Sequence, residues 1–160
     1  MASGIKPSDE ALKQFEALKG QKLDYIIYTI EKNSIGVHKV FPESEDDVKA
    51  KEAQKKDGTS FSEFKTRAYD GFQELMQGDM AKTPCFAVMD FRFPSDDGDR
   101  TKVVFMQWCP DKGAPVKAKM LLASSADAFK QKLNGVHAKL QLSSVADFDY
   151  DNIKSMVPEK

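Results

Sequence analysis

The chain has 160 residues, 24 Lys and Arg against 25 Asp and Glu, two His and two Cys, with 41% of residues hydrophobic and 31% charged. That length suits one soluble domain able to bury a core without disulfides or metal. The near-zero net charge gives no general electrostatic reason to bind nucleic acid, so any cationic function must come from local clusters.

The opening MASGIKPSDE has no apolar h-region, and no run approaches membrane-spanning length, which predicts a cytoplasmic protein. Residues 1–7 are small and polar and read as a flexible arm. Ser8 or Asp9 then caps a helix carrying Leu12, Phe15 and Leu18, stopped by Gly20. The β-branched and aromatic run Tyr25 to Ile30, the turn residues EKNS and the run IGVHKVF predict a hairpin. From Pro42 to Ser60 the chain is charged and almost without large apolar residues, so it reads as an exposed mobile loop. Ser60 or Ser62 opens a helix in which Phe61, Phe64, Ala68, Phe72 and Leu75 keep helical spacing and which Gly78 ends.

CFAVMDF, residues 85–91, and KVVFMQW, residues 102–108, are nearly continuous apolar runs of strand length, the pattern of strands covered on both faces. RFPSDDGDRT joins them, which predicts a long hairpin projecting beyond the sheet. A helix then starts near Pro115, whose φ is preset for a first turn. At about 100° per residue, Ala118, Leu122, Ala126, Phe129 and Leu133 share a core stripe. The opposite side carries Lys117, Met120, Ser124, Asp127 and Gln131, flanked by Leu121 and Lys119. A merely solvated face has no need of Met and Leu among its charges, whereas flexible Met beside paired Lys suits contact with another protein. Asn134–Gly135 ends this helix, HAKLQLS alternates as a half-exposed strand, and the tail forms a short helix with Phe148, Ile153 and Val157 inward. With no internal repeat or linker, one α/β domain with helices on both sides of a mixed sheet is expected.

A catalytic site requires convergent polar groups, and the chain offers few. His38 and His137 fall in predicted strands without a second ligand at metal spacing, and Cys85 and Cys109 lie in or beside apolar runs outside any CxxC pattern. Two buried free thiols and two strand histidines follow. GxGxxG, Walker A and GxSxG motifs are absent. The expectation is a non-enzymatic binding protein with no cofactor, no metal and no nucleic-acid partner.

MASGI at the start, WCPD at the end of a strand and APVKAKMLLASSADAFKQKLNG in the long helix resemble the actin-depolymerising factor/cofilin family, whose pattern includes W-x-P-[DE]-x-A-P and K-x-K-M-x-Y-A-S-S-x-D-A. The order of elements agrees from end to end apart from residues 42–60, which look like an insertion. KGAP carries one residue more than the family's usual spacing, and Leu122 replaces a common Tyr.

The resemblance implies a single ADF-homology domain over residues 1–160, with a central mixed five- to six-stranded sheet. It implies a monomeric protein of the actin cytoskeleton that binds G-actin and F-actin, prefers the ADP form, and depolymerises and severs filaments. The monomer surface carries over onto Ser3, Gly4, Ile5, Lys117, Lys119, Met120, Leu121, Ser124 and Ser125, and Ser3 matches a regulatory phosphorylation site. The filament surface carries over onto Arg100 and Lys102, with Lys154 or Lys160 substituting for basic residues where the aligned positions read Ser155, Met156 and Glu159. Lys117, Lys119, Lys130 and Lys132 supply a basic cluster for phosphoinositides at a membrane surface. Ala138 occupies the aligned place of a pH-sensing His found in some members. Two alternatives follow: a divergent member that binds monomers but severs weakly, and a phosphoinositide-binding signalling module.

Overall fold

The computed structural model describes residues 5–20, 23–31, 34–41, 69–95 and 98–157, with backbone only for 92–95 and 98–100. Ser3, Gly4, the 42–60 segment, the start of the helix expected at Ser60 or Ser62, Glu159 and Lys160 lie outside these residues.

The elements are β1 (Lys6–Pro7), α1 (Asp9–Lys19), β2 (Tyr25–Glu31), β3 (Ser34–Phe41), α2 (Asp70–Gln77), β4 (Cys85–Ser95), β5 (Gly98–Trp108), α3 (Val116–Lys132), β6 (Ala138–Leu142), a 3₁₀ turn (Val145–Phe148) and α4 (Tyr150–Met156). The strands form one mixed sheet in the order β1-β3-β2-β4-β5-β6. β2 runs antiparallel to β3 and β4, β4 antiparallel to β5, and the two outer pairs, β1–β3 and β5–β6, are parallel. A parallel pair needs a crossover, and α3 supplies it between β5 and β6.

Over residues 85–91 and 103–108 the two long central strands are buried on both faces, as their continuous apolar runs require. Alternate residues feed two cores. Cys85, Ala87, Met89 and Phe91 of β4, with Val104, Met106 and Trp108 of β5, meet Phe72 and Met76 of α2, Phe148, and Tyr150 and Ile153 of α4. Phe86 and Val88, with Val103 and Phe105, meet Phe15 and Leu18 of α1 and Leu122, Ala126 and Phe129 of α3. Phe129 anchors α3 on this second face, its ring lying 4.9 Å from that of Tyr28, 5.3 Å from Phe86 and 5.8 Å from Phe105. Burying such a ring is worth about 1.5–3 kcal/mol.

Ser8 caps α1, its hydroxyl accepting from Ala11 N–H at 3.1 Å. Pro115 stands at the N-cap of α3 rather than within its first turn, with extended ψ of 138°. The β4–β5 ladder runs on to Ser95↔Gly98, so only residues 96 and 97 lie between the paired ends. β2 pairs with β4 only as far as Met89, and β6 with β5 only from Val104. The outer part of this hairpin therefore projects past its sheet neighbours.

Ile5 is 6% exposed, and Lys6↔Ser34 and Pro7↔Ile35 pair β1 with β3. The flexible arm expected over residues 1–7 does not include residues 5–7. His38 is the extra residue of a β-bulge, where the β2–β3 register passes from Ile27↔Lys39 to Tyr28↔Val37, and it is exposed. His137 precedes β6 instead of lying within it. Its N–H donates to Val103 O at 2.8 Å and its Nδ1 accepts from Val103 N–H at 2.9 Å, so the imidazole stands in for a carbonyl and adds one rung to the parallel ladder. Cys85 is buried, which pushes its thiol well above the ordinary range, whereas Cys109 is only half-buried.

Candidate interaction surface

The exposed side of α3 begins one residue after Pro115. Val116 and Met120 are each 67% exposed, the largest values for large hydrophobic side chains among the described residues. Spacing of four residues places them one above the other. Lys117 is exposed beside them, while Lys119 and Leu121 are half-buried, Leu121 packing partly against the core. No acidic residue lies in the first turn of α3. Cations there oppose the positive end of the helix dipole, an arrangement that costs a few tenths of a kcal/mol each and gains nothing locally. Two exposed apolar side chains and an unfavourably placed lysine are what a partner's apolar cleft with an acidic border would favour.

The floor under this turn is the end of β5. Gln107 Nε2 donates to Cys109 Sγ at 3.6 Å, and that sulfur lies 4.0 Å from the carbonyl oxygen of Lys119. Ser124 is exposed and donates to Leu121 O at 3.0 Å. Ser125 donates to the same oxygen at 2.8 Å but is 1% exposed. Its expected place on the contact surface is therefore corrected: the hydroxyl is satisfied by the preceding turn and the side chain belongs to the core. Ile5 is corrected on the same ground, since a side chain 6% exposed has little area to offer a partner. The strand that follows it, β1, nevertheless lies against α3, so the described chain begins beside this helix. Val116 was absent from the expected set, although its spacing of four from Met120 marks it.

The four lysines expected to form one basic cluster are divided by the length of the helix. Thirteen residues separate Lys117 from Lys130, about 20 Å at 1.5 Å per residue. Lys130 and Lys132 lie in the last turn, where the dipole favours them. Lys19 joins them there, its side chain passing 3.5 Å from the position of a Cβ built on Gly135. Further along α3, Asp127 is held by Lys139 of β6, with Nζ–Oδ1 at 2.5 Å. This hydrogen bond, then the charges of Lys139 and Lys130, keep the Asp127 carboxyl below the usual carboxylate range.

A further cation, Lys102, belongs to the other face of the sheet. Lys102 is half-buried and pairs with Phe91, and Arg100 is opposite Phe93 in the projecting hairpin. Directly opposite residues in an antiparallel pair point to the same face, so Lys102 lies on the α4 side with Phe91. Lys154 is half-buried on α4, next to exposed Ser155 and to Met156, which is 40% exposed. Among the described residues no group of three His, Cys, Asp or Glu is placed to hold a metal ion.

A six-stranded sheet covered by helices on both faces, with an apolar pair on a cationic helix turn and a hairpin reaching past the sheet, defines a small protein-binding module. A family model described as Cofilin/tropomyosin-type actin-binding protein matches residues 4–157. The chain belongs to this ADF/cofilin family of actin-binding proteins. It is 37% identical over 157 residues to a cofilin of Ogataea parapolymorpha, covering 94% of this chain and 90% of that protein. It is 33% identical over 154 residues to a cofilin of Cryptococcus neoformans var. neoformans, covering 94% of each. The fold superposes on the crystal structure of Plasmodium berghei actin depolymerization factor 2 with a TM-score of 0.71 at 25% identity, covering 98% of both chains.

Proposed function

We propose that this protein binds actin monomers through the first two turns of α3 and filament sides through the β4–β5 hairpin and α4, and that it depolymerises and severs filaments with preference for the ADP form. The observation that carries the reading is the pair Val116 and Met120, exposed on a turn that also presents Lys117 and no carboxylate. Burying Met120 in an apolar cleft is worth about 1.5–3 kcal/mol, enough to matter at micromolar affinity. Lys117 and Lys119 orient the complex against partner carboxylates. Ser3, two residues before Ile5, serves as a phosphorylation switch: a phosphate of about −1.5 to −2 charge would pair with these lysines and repel an acidic partner.

Arg100, Lys102 and Lys154 are proposed for the filament side because Lys102 shares a sheet face with α4. The second reading, monomer binding with weak severing, is favoured by Ser155 and Met156, which put a hydroxyl and an apolar chain where the family resemblance places an acidic-basic pair. The phosphoinositide reading is disfavoured by the roughly 20 Å between Lys117 and Lys130. A cytoplasmic location at the actin cytoskeleton and a monomeric state complete the proposal.

Co-sedimentation with actin filaments, together with nucleotide exchange on monomers, tests it. Protein in the pellet, loss of pelletable actin and slowed exchange are expected. Unchanged sedimentation with unchanged exchange would sink the reading.

A further inference from the structure

Gly113 lies in the loop leading into α3 with a φ of 83°, a left-handed value that glycine adopts without penalty. A Cβ built there would stand 2.8 Å from both Cγ and Cδ of Lys82 and 3.2 Å from its Cε. The stem of Lys82 thus occupies the space that any other residue at 113 would claim. Each side of this contact is anchored. The Trp108 indole N–H donates to Met80 O at 2.8 Å, tying the 78–84 segment to β5. Cys109 N–H donates to Leu142 O at 3.0 Å and Asp111 N–H to Ser143 O at 2.9 Å, tying the other loop to the end of β6.

Lys82 is exposed, and among the described residues its ammonium has no carboxylate within ion-pair distance. Gly113 stands three residues before Val116, a span of at most about 10 Å along the chain. We infer that Lys82 belongs to the partner-binding surface: its ammonium, carried on a stem seated over Gly113, adds a cation from a second element at the start of α3 and meets an acidic patch of the bound actin. This inference rests on the actin-binding reading above. It also gives a role to the extra residue of the Lys112–Gly113–Ala114–Pro115 spacing, which opens a berth without a Cβ for the lysine. A stem already held in place has less freedom to lose when the partner arrives.

The test uses the intact protein and fluorescently labelled ADP-actin monomers, with Kd measured at low and high salt for the wild type, Lys82→Met, Lys82→Glu and Met120→Asp. Met retains the stem over Gly113 and removes only the charge. Lys82→Met is expected to keep the melting temperature and weaken binding about threefold at low salt, and Lys82→Glu about tenfold, with both differences shrinking at high salt. Wild-type affinity in both Lys82 variants while Met120→Asp has lost binding would overturn the Lys82 assignment and leave the actin reading standing. A lowered melting temperature in Lys82→Met accompanying its weaker binding would reduce Lys82 to loop packing and also overturn it. Absence of any binding by the wild type would remove the actin reading, and wild-type affinity in Met120→Asp would remove the placement of the monomer site at the start of α3 and this inference with it.

Discussion

Tyr150 stacks on Phe91, with ring centroids 5.2 Å apart and planes inclined by 28°. Phe91 is also the cross-strand partner of Lys102, and Lys154 lies one turn along α4 from Tyr150. One ring contact therefore seats the last helix at the root of the projecting hairpin and keeps both lysines on the same side of the sheet. Tyr150→Ala removes this contact and the 5.1 Å contact with Tyr69. It is expected to lower stability by about 3 kcal/mol, read by denaturant unfolding. At temperatures where the variant remains folded, filament co-sedimentation is expected to fall more than monomer affinity, because α4 alone loses its seat.

His137 provides a second, smaller test of how the hairpin root is held. Its Nδ1 is the acceptor for Val103 N–H, and His137→Ala leaves that partly buried amide without it. A loss of about 1 kcal/mol is expected, together with faster hydrogen exchange at Val103. His137→Asn, whose side-chain oxygen can accept, is expected to recover part of the protection. Unchanged exchange in His137→Ala would show that the rung contributes nothing.

The Asp127–Lys139 pair links α3 to the edge strand and carries a pH signature. Because the folded-state pKa of Asp127 is depressed, the unfolded chain binds that proton more readily. The contribution of the pair is thus present above the unfolded-state value, near 3.9, and is lost as pH falls through the folded-state value. Asp127 is fully exposed, so the effect on stability is small and screened by salt. Lys139→Ala is expected to move the Asp127 titration upward toward the ordinary carboxylate value, measured by NMR of its side-chain carboxyl carbon. An unchanged midpoint would contradict the geometry.

The fold was legible wherever burial and period coincide. Leu122, Ala126, Phe129 and Leu133 mark the inner face of α3 because apolar residues at helical spacing have one place to go, and residues 85–91 and 102–108 read as strands covered on both faces for the same reason. Ser125 escaped because a serine hydroxyl can bond the carbonyl one turn back and enter the core, which its polar identity conceals. Ile5 escaped because a lone apolar residue in a polar arm has no period, and it joins the core between α1 and α3 only because the next two residues pair with β3 almost thirty residues away. The basic cluster divided because lysines close in a written sequence are far apart along a helix rising 1.5 Å per residue. Val116 was readable in principle, four residues before Met120, but beside Pro115 it passes for the first turn of a core stripe.

The central claim is that the exposed start of α3 is the actin-monomer surface and contributes nothing to the core. The most direct measurement is monomer affinity and melting temperature of the double variant Val116→Asp, Met120→Asp. Both side chains are already in water, so the melting temperature is expected to stay within the small range of surface substitutions. Monomer affinity is expected to fall by about a hundredfold or more, since two carboxylates would have to enter an apolar cleft. Wild-type affinity in a folded double variant would contradict the account.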